Sequence, residues 1–280
     1  MASTGQHLSS IRVMILRNFP WRLVLVVLLI VLISLWMYFA PDGILGKADA
    51  IGYAVCHRIS HRSFHIGDTQ FSVCARCSGQ YLGAVIGLLY LTIFRRYRIG
   101  RPPWSVIVIL LAWAVGYAVD GVNSFLHLIP FTRQFWIYEP SNSIRLATGM
   151  GVGLGISIIL FPAFNQTVWK QTDARPVLDG LGDFVKLLIL VAILVTAMLS
   201  GNPVILYPLS LISAAGVLII LTMVYSMVWV MLFRAEGRFE NLRQYLFPLL
   251  AGFAVTLIQI LLIDFVRYML TGTWGEFPLG

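Results

Sequence analysis

A chain of 280 residues in which 59% are hydrophobic and only 11% charged, with a mean hydropathy of +0.84, lacks the roughly 25% of charged side chains that a soluble domain carries. It reads as an integral membrane protein. The net charge of +8 and pI near 9.7 would suit a nucleic-acid partner only on one face of a soluble domain, so no nucleic acid is expected and the basic excess is assigned to membrane topology.

A helix that crosses a bilayer needs about 20 apolar residues. Seven stretches qualify: 21–40, 78–94, 103–126, 143–161, 184–199, 206–233 and 245–270. The expected fold class is therefore all-α, a polytopic transmembrane helix bundle that forms a single domain over residues 1–280 of a multi-pass cell-membrane protein. The first stretch follows Arg12 and Arg17 and so resembles a secretory signal, but it is long for one and no A-x-A site follows it. An uncleaved anchor is expected. With the N-terminus in the cytoplasm, thirteen of the twenty basic residues fall inside, which predicts a cytoplasmic N-terminus and an outer C-terminus.

The connector after this span, 41–77, is the long outer one. It carries "CHRISHRSFHIGDTQFSVCARCSG" (56–79), with all three cysteines and three of the five histidines of the chain. The second span then begins "SGQYLGAVIG", with Gly79, Gly83 and Gly87 four apart on one helical face. Such stripes let two helix backbones approach closely in lipid. The third span ends with Asp120, Asn123, Ser124 and His127, which share a face at i, i+3, i+4 and i+7.

The fourth span starts with Asn142, Arg145 and Thr148 and repeats the glycine device in "TGMGVGLG". No strand precedes these glycines, so they are read as packing residues and not as a dinucleotide loop. Helix direction puts Gln80, Tyr81, Asp120, Asn123, Asn142 and Arg145 at the same outer leaflet. Ionisable residues at membrane depth face protein or a wet cavity, and Asp120 is expected to pair with Arg145. The inner stretch 165–183 reads as a solvated loop. In the last span Asp264 and Arg267 are expected to pair within the helix, and Gln259 to bond a neighbouring helix.

The chemistry concentrates in the outer loop. Cys74 and Cys77 form "CARC", a spacing that lets two sulfurs bind one metal ion or close a small disulfide ring. Arg58, Arg62 and Arg76 favour thiolate. A c-type haem attachment is excluded because Ser78 stands where C-x-x-C-H needs histidine. Three cysteines leave one unpaired in a disulfide framework, whereas a metal uses all three. Cys56, Cys74 and Cys77 with one histidine make a tetrahedral set of the kind zinc takes. Spacing favours His61 or His65 as the fourth ligand, since His57 is adjacent to Cys56.

A redox reading stays open beside it, with a Cys74–Cys77 dithiol or disulfide, no metal, and exchange with a quinone or a thiol protein. So does a bland one, a disulfide that pins the loop. A third class is a non-enzymatic subunit or assembly factor, whose partners are other subunits of a membrane complex. No Ser-His-Asp arrangement, phosphate loop or H-E-x-x-H helix is visible.

"CHRISHRSF", "VCARCSGQYLG" and "NSIRLATGMGVG" together resemble the domain of unknown function 2085 family of predicted membrane proteins. The matching positions are Cys56, His57, Arg62, Ser63, Cys74, Arg76, Cys77, Gly79, Tyr81 and Gly83, with Asp120, Asn142, Arg145, Thr148 and Gly149 as looser matches. The resemblance implies a polytopic membrane protein and supplies no activity. It also implies His57 as the fourth ligand, because His57 belongs to the motif and His61 does not. The expectation is a lipid-embedded protein whose metal set is Cys56, His57, His61, Cys74 and Cys77, lying over a polar pocket of Arg76, Gln80, Tyr81, Asp120, Asn123, Asn142 and Arg145.

Overall fold

Eight α-helices follow one another in the computed structural model, which describes residues 20–275: α1 (Trp21–Phe39), α2 (Gly43–Val55), α3 (Ala75–Phe94), α4 (Trp104–Leu128), α5 (Asn142–Val168), α6 (Leu181–Leu199), α7 (Pro203–Leu232) and α8 (Leu242–Thr271). Arg12 and Arg17, counted above toward the cytoplasmic side, lie outside the described residues. All the helices except α2 are long and apolar enough to cross a membrane, and they are the seven expected spans. The fold class is all-α. Two short strand pairs accompany the helices: β1 (His65–Ile66) with β2 (Thr69–Gln70), antiparallel, and β3 (Arg98–Gly100) with β4 (Asp173–Pro176), parallel.

The closest helix pair is α3 with α5, and its cause is legible in the glycines. A Cβ on Gly79 would meet the Leu146 carbonyl, and one on Gly83 the Met150 carbonyl. Reciprocally, a Cβ on Gly149 would meet the Arg76 carbonyl and one on Gly153 the Gln80 carbonyl. Backbone lies on backbone, as small residues permit in lipid, where dispersion rather than hydrophobic exclusion holds helices together. Leu82, Leu91, Leu146, Met150 and Leu154, all at most 2% exposed, fill the surrounding core. Elsewhere α1 lays Leu25, Leu29 and Leu32 on Ala251, Ala254 and Leu257 of α8.

The connector 41–77 is not an open loop. Lys47 donates to the carbonyls of Met37 (2.6 Å) and Ala40 (2.7 Å) at the end of α1, where cations are favoured. Helix α2 then buries Ala48, Ala50, Ile51, Gly52 and Tyr53, with Ala48 and Ile51 packed beside Ala214 and Val217 of α7 and Ile260 of α8. Gly52 sits against the Ser72 carbonyl, so the connector folds back on itself. Its later part ends at Cys74, the N-cap of α3.

At the opposite end of the bundle, 165–183 is more than a solvated loop. The pairing of β3 with β4 draws it in, and Val177 and Leu178 are fully buried. Arg98 holds it with bonds to the Pro176 carbonyl (3.0 Å) and Asp179 (2.5 Å). Arg95 reaches Asp183 at 2.5 Å. Polarity suggested solvent, but these charges neutralise each other across chain segments.

Candidate metal centre and arginine pocket

Cys56 follows the last residue of α2, and Cys74 and Cys77 are the N-cap and third residue of α3. The spacing i, i+3 puts the latter two on one side of the first turn. The three sulfurs lie within 4.8 Å of one another, and Cys56 and Cys74 are buried. A tetrahedral site with zinc–sulfur bonds of about 2.3 Å spaces its ligands about 3.8 Å apart, so only slight contraction is needed. All three cysteines are unbridged.

Local backbone geometry aims polar hydrogens at these sulfurs. Arg58 adopts a left-handed conformation (φ 53°), a strained choice for a non-glycine residue. The turn brings the Arg58 N–H to Cys56 Sγ at 3.5 Å, and the Cys74 N–H reaches the same sulfur at 3.2 Å. Donors of this kind favour thiolate. Arg58 is anchored by Asp49 at 2.9 Å, and its carbonyl accepts from Gln70 at 2.7 Å.

The thiols do not share their acidity evenly. The hydrogen bond with Cys74 pushes the Cys56 thiol up to about 12. Cys74, hydrogen-bonded to Cys56, Cys77 and His57, is held well below the ordinary thiol range. Like charges this close repel, so one thiolate is stabilised here and three require a cation.

Neither candidate histidine joins the sulfurs as a close set. His57 Nδ1 accepts from the Ile59 N–H at 3.0 Å, which places the ring proton on Nε2. That nitrogen is then a donor, and His57 bonds Cys74. His61 is exposed, on the short turn Ser60–Arg62. His65 pairs with Ser60 at 3.1 Å.

Several of the polar residues expected near the cluster bond one another, in pairings other than the one expected. Asp120, fully buried, is bound by Arg76 through Nε at 3.1 Å and through Nη2, and accepts from Tyr138 at 2.8 Å. Arg145 does not take the carboxylate; it donates to Asn142 at 2.9 Å and Ser124 Oγ at 3.4 Å. The reason is reach: Arg76 points from α3 along α4, while Arg145 is held by Asn142 one turn back on α5. Asn142 also donates to the Ser63 carbonyl at 3.3 Å, which ties α5 to the Cys loop.

Asn123 serves the chain rather than a ligand, accepting from the Ile137 N–H (2.6 Å) and donating to the Tyr138 carbonyl (2.8 Å). Gln80 accepts from Tyr117 at 3.1 Å. Tyr81 packs beside Ala214 and Val217 of α7. Burial, and then the bond to Asp120, raise the Tyr138 hydroxyl to about 12, which keeps it a donor.

Three participants went unassigned in the sequence. Tyr138 lies in a connector without any pattern. Arg62 counts in the sequence as a charge near the thiols and a motif position, not as a pocket residue. Arg267 was read as a partner of Asp264, yet it donates to the carbonyls of Tyr53 (2.6 Å), Cys56 (2.6 Å) and His57 (3.2 Å) and stacks over the Tyr53 ring at 3.8 Å. Both carboxylate oxygens of Asp264 are buried without a hydrogen-bond partner among the described residues.

Fold and site together define a polytopic membrane protein with a three-cysteine cluster at one end of its bundle. Residues 56–159 match the family model of DUF2085, described as a predicted membrane protein, in agreement with the motif resemblance. An uncharacterized protein of Methanocaldococcus jannaschii is 27% identical over 124 residues, covering 44% of this chain and 71% of the relative. An uncharacterized protein of Methanothermobacter thermautotrophicus is 28% identical over 106 residues, 38% of this chain and 83% of the relative. No solved structure matches.

Proposed function

We propose that Cys56, Cys74 and Cys77 hold a divalent metal ion, zinc by ligand type, as a three-thiolate centre in the membrane protein. The observation that carries the reading is the approach of three sulfurs to within 4.8 Å at a site where two of them are buried. In this arrangement His57 donates to the Cys74 sulfur and does not ligate, which leaves the fourth position for solvent or a substrate atom. An open position is what separates catalytic from structural zinc, and a bound water there loses its proton near neutral pH. Elemental analysis of the purified protein beside Cys74→Ser tests it. One metal per chain, lost in the variant, supports the centre; a metal-free protein from chelator-free handling overturns it.

A thiol-redox reading has its own support. A groove of about 560 Å³ reaches Cys56 and His57 between Tyr53 and the α8 residues Leu262, Val266 and Leu270, and those three residues are exposed on the outside of the bundle. A lipophilic quinone entering there would take two electrons and two protons from the Cys74 and Cys77 thiols, giving a quinol and a disulfide. Alkylation with and without reductant separates the two readings. Three thiols that react only after chelation indicate the metal; two that react only after reduction indicate the disulfide.

A further inference from the structure

Beside the cysteines, three guanidinium groups from three chain segments converge on one serine. Arg62, from the Cys loop, donates to the Ser124 carbonyl at 2.7 Å. Arg76, on α3, donates to Ser124 Oγ at 3.1 Å, and Arg145, on α5, to the same oxygen at 3.4 Å. Ser124 itself is fully buried, Arg62 is 7% exposed and Arg145 5%. Three cations gathered this tightly repel one another, and a low-dielectric setting amplifies the effect.

Their counter-charge is incomplete. Asp120 is the carboxylate at the site, and its oxygens are taken by Arg76 and Tyr138. Arg62 and Arg145 make no ion pair among the described residues; their hydrogen-bond partners there are neutral, Ser124 for Arg62, Ser124 and Asn142 for Arg145. Arg62 Nε is buried with no hydrogen-bond partner among the described residues. Cys74 lies close enough to act electrostatically on both arginines. Three thiolates around a divalent ion would add only one negative charge. One positive charge is still unmatched.

Buried charge is kept only where something compensates it, and planar guanidinium forks match the oxygens of phosphate and carboxylate in shape. We propose that Arg62, Arg76 and Arg145 form a binding site for a phosphate-class oxyanion, adjoining the cysteine cluster at the loop end of the bundle. The bound group takes the Arg62 Nε–H and is shared with the neighbouring Arg145 guanidinium, while Asp120, itself bonded by Tyr138, holds Arg76 in place. The site rests on the arginines and stands whether or not the cysteines hold metal. Two sources offer this chemistry: free phosphate and the phosphodiester of an anionic lipid headgroup.

The test uses the full chain purified in a neutral detergent. Equilibrium binding of radiolabelled orthophosphate addresses the free anion, and native mass spectrometry after incubation with phosphatidylglycerol or phosphatidylcholine addresses the lipid. Saturable binding of one orthophosphate, or selective retention of one phosphatidylglycerol, is expected. Either should weaken at least tenfold in Arg62→Gln and in Arg145→Gln. Arg62→Lys, which keeps the charge and loses the fork, should retain part of it.

Metal content is measured on the same samples, so that loss of the anion with metal intact is distinguishable from failure of the thiol centre. If the glutamine variants do not fold, the wild-type melting temperature still decides, and it should rise with phosphate and not with equimolar chloride. The proposal is overturned if neither ligand binds with selectivity, or if binding is unchanged in both variants.

Discussion

From the last turns of α8, Arg267 donates to the Cys56 carbonyl at 2.6 Å, linking residues 211 positions apart. The same group holds the Tyr53 and His57 carbonyls, so the end of α2 and the first residues of the cysteine loop are clamped by a helix outside the matched stretch 56–159. Partners that fix a ligand without touching the ion matter nearly as much as ligands do. Replacing Arg267 with leucine should lower metal affinity roughly 10–100-fold by that comparison, read by competition with a chelating dye. Unchanged affinity in a folded variant would show that the clamp is not what positions Cys56.

Metal affinity should rise with pH. Cys56, with its thiol at about 12, is protonated at neutral pH and must lose that proton to bind, whereas Cys74 is already held low. Each displaced proton changes apparent affinity about tenfold per pH unit. Dye competition between pH 6 and 8 should therefore show at least that slope, with tighter binding at the alkaline end. A flat profile would mean that the ion takes none of its ligands from protonated thiols.

Asp120 and Arg76 should behave as a unit. Asp120→Asn leaves the Arg76 guanidinium facing Ser124 and two further arginines, a loss of order 3 kcal/mol if the pair behaves like others at this depth. Arg76→Gln combined with Asp120→Asn should recover part of it. Thermal melting in detergent gives the comparison, and simple additivity of the two single variants would argue against a direct pair.

The glycine contacts predict a graded series. Gly79→Ala and Gly149→Ala each drive a methyl into a backbone carbonyl of the facing helix, and overpacking of this kind costs about 1–3 kcal/mol. At Gly155 the nearest atom to an added methyl is Leu110 Cδ2 at 4.0 Å, so Gly155→Ala should melt with the wild type. Helix propensity favours alanine over glycine at every one of these positions, so a loss at Gly79 and Gly149 is steric, and equal losses at all three would mean that the α3–α5 contact does not set the effect.

Much of this protein is written in one dimension. Seven spans follow from apolar run length, because a bilayer imposes one thickness on every crossing helix. The α3–α5 contact follows from glycines at i, i+4, a local pattern with only one use in lipid. Cys74 and Cys77 are neighbours because three residues make most of a helical turn.

What the sequence left open depends on contacts between distant segments. Asp120 takes Arg76 and not Arg145, and Arg267 takes carbonyls and not Asp264, because side-chain reach and helix rotation choose among several chemically equal partners. The arrival of Cys56 at the other two thiols depends on α2 folding back over α7 and α8. The gathering of Arg62, Arg76 and Arg145 at Ser124 is likewise tertiary, since each comes from a different segment and like charges carry no pairing rule that spacing could reveal. Run length and periodicity are properties of one helix; a site with an unbalanced charge exists only where several helices end together.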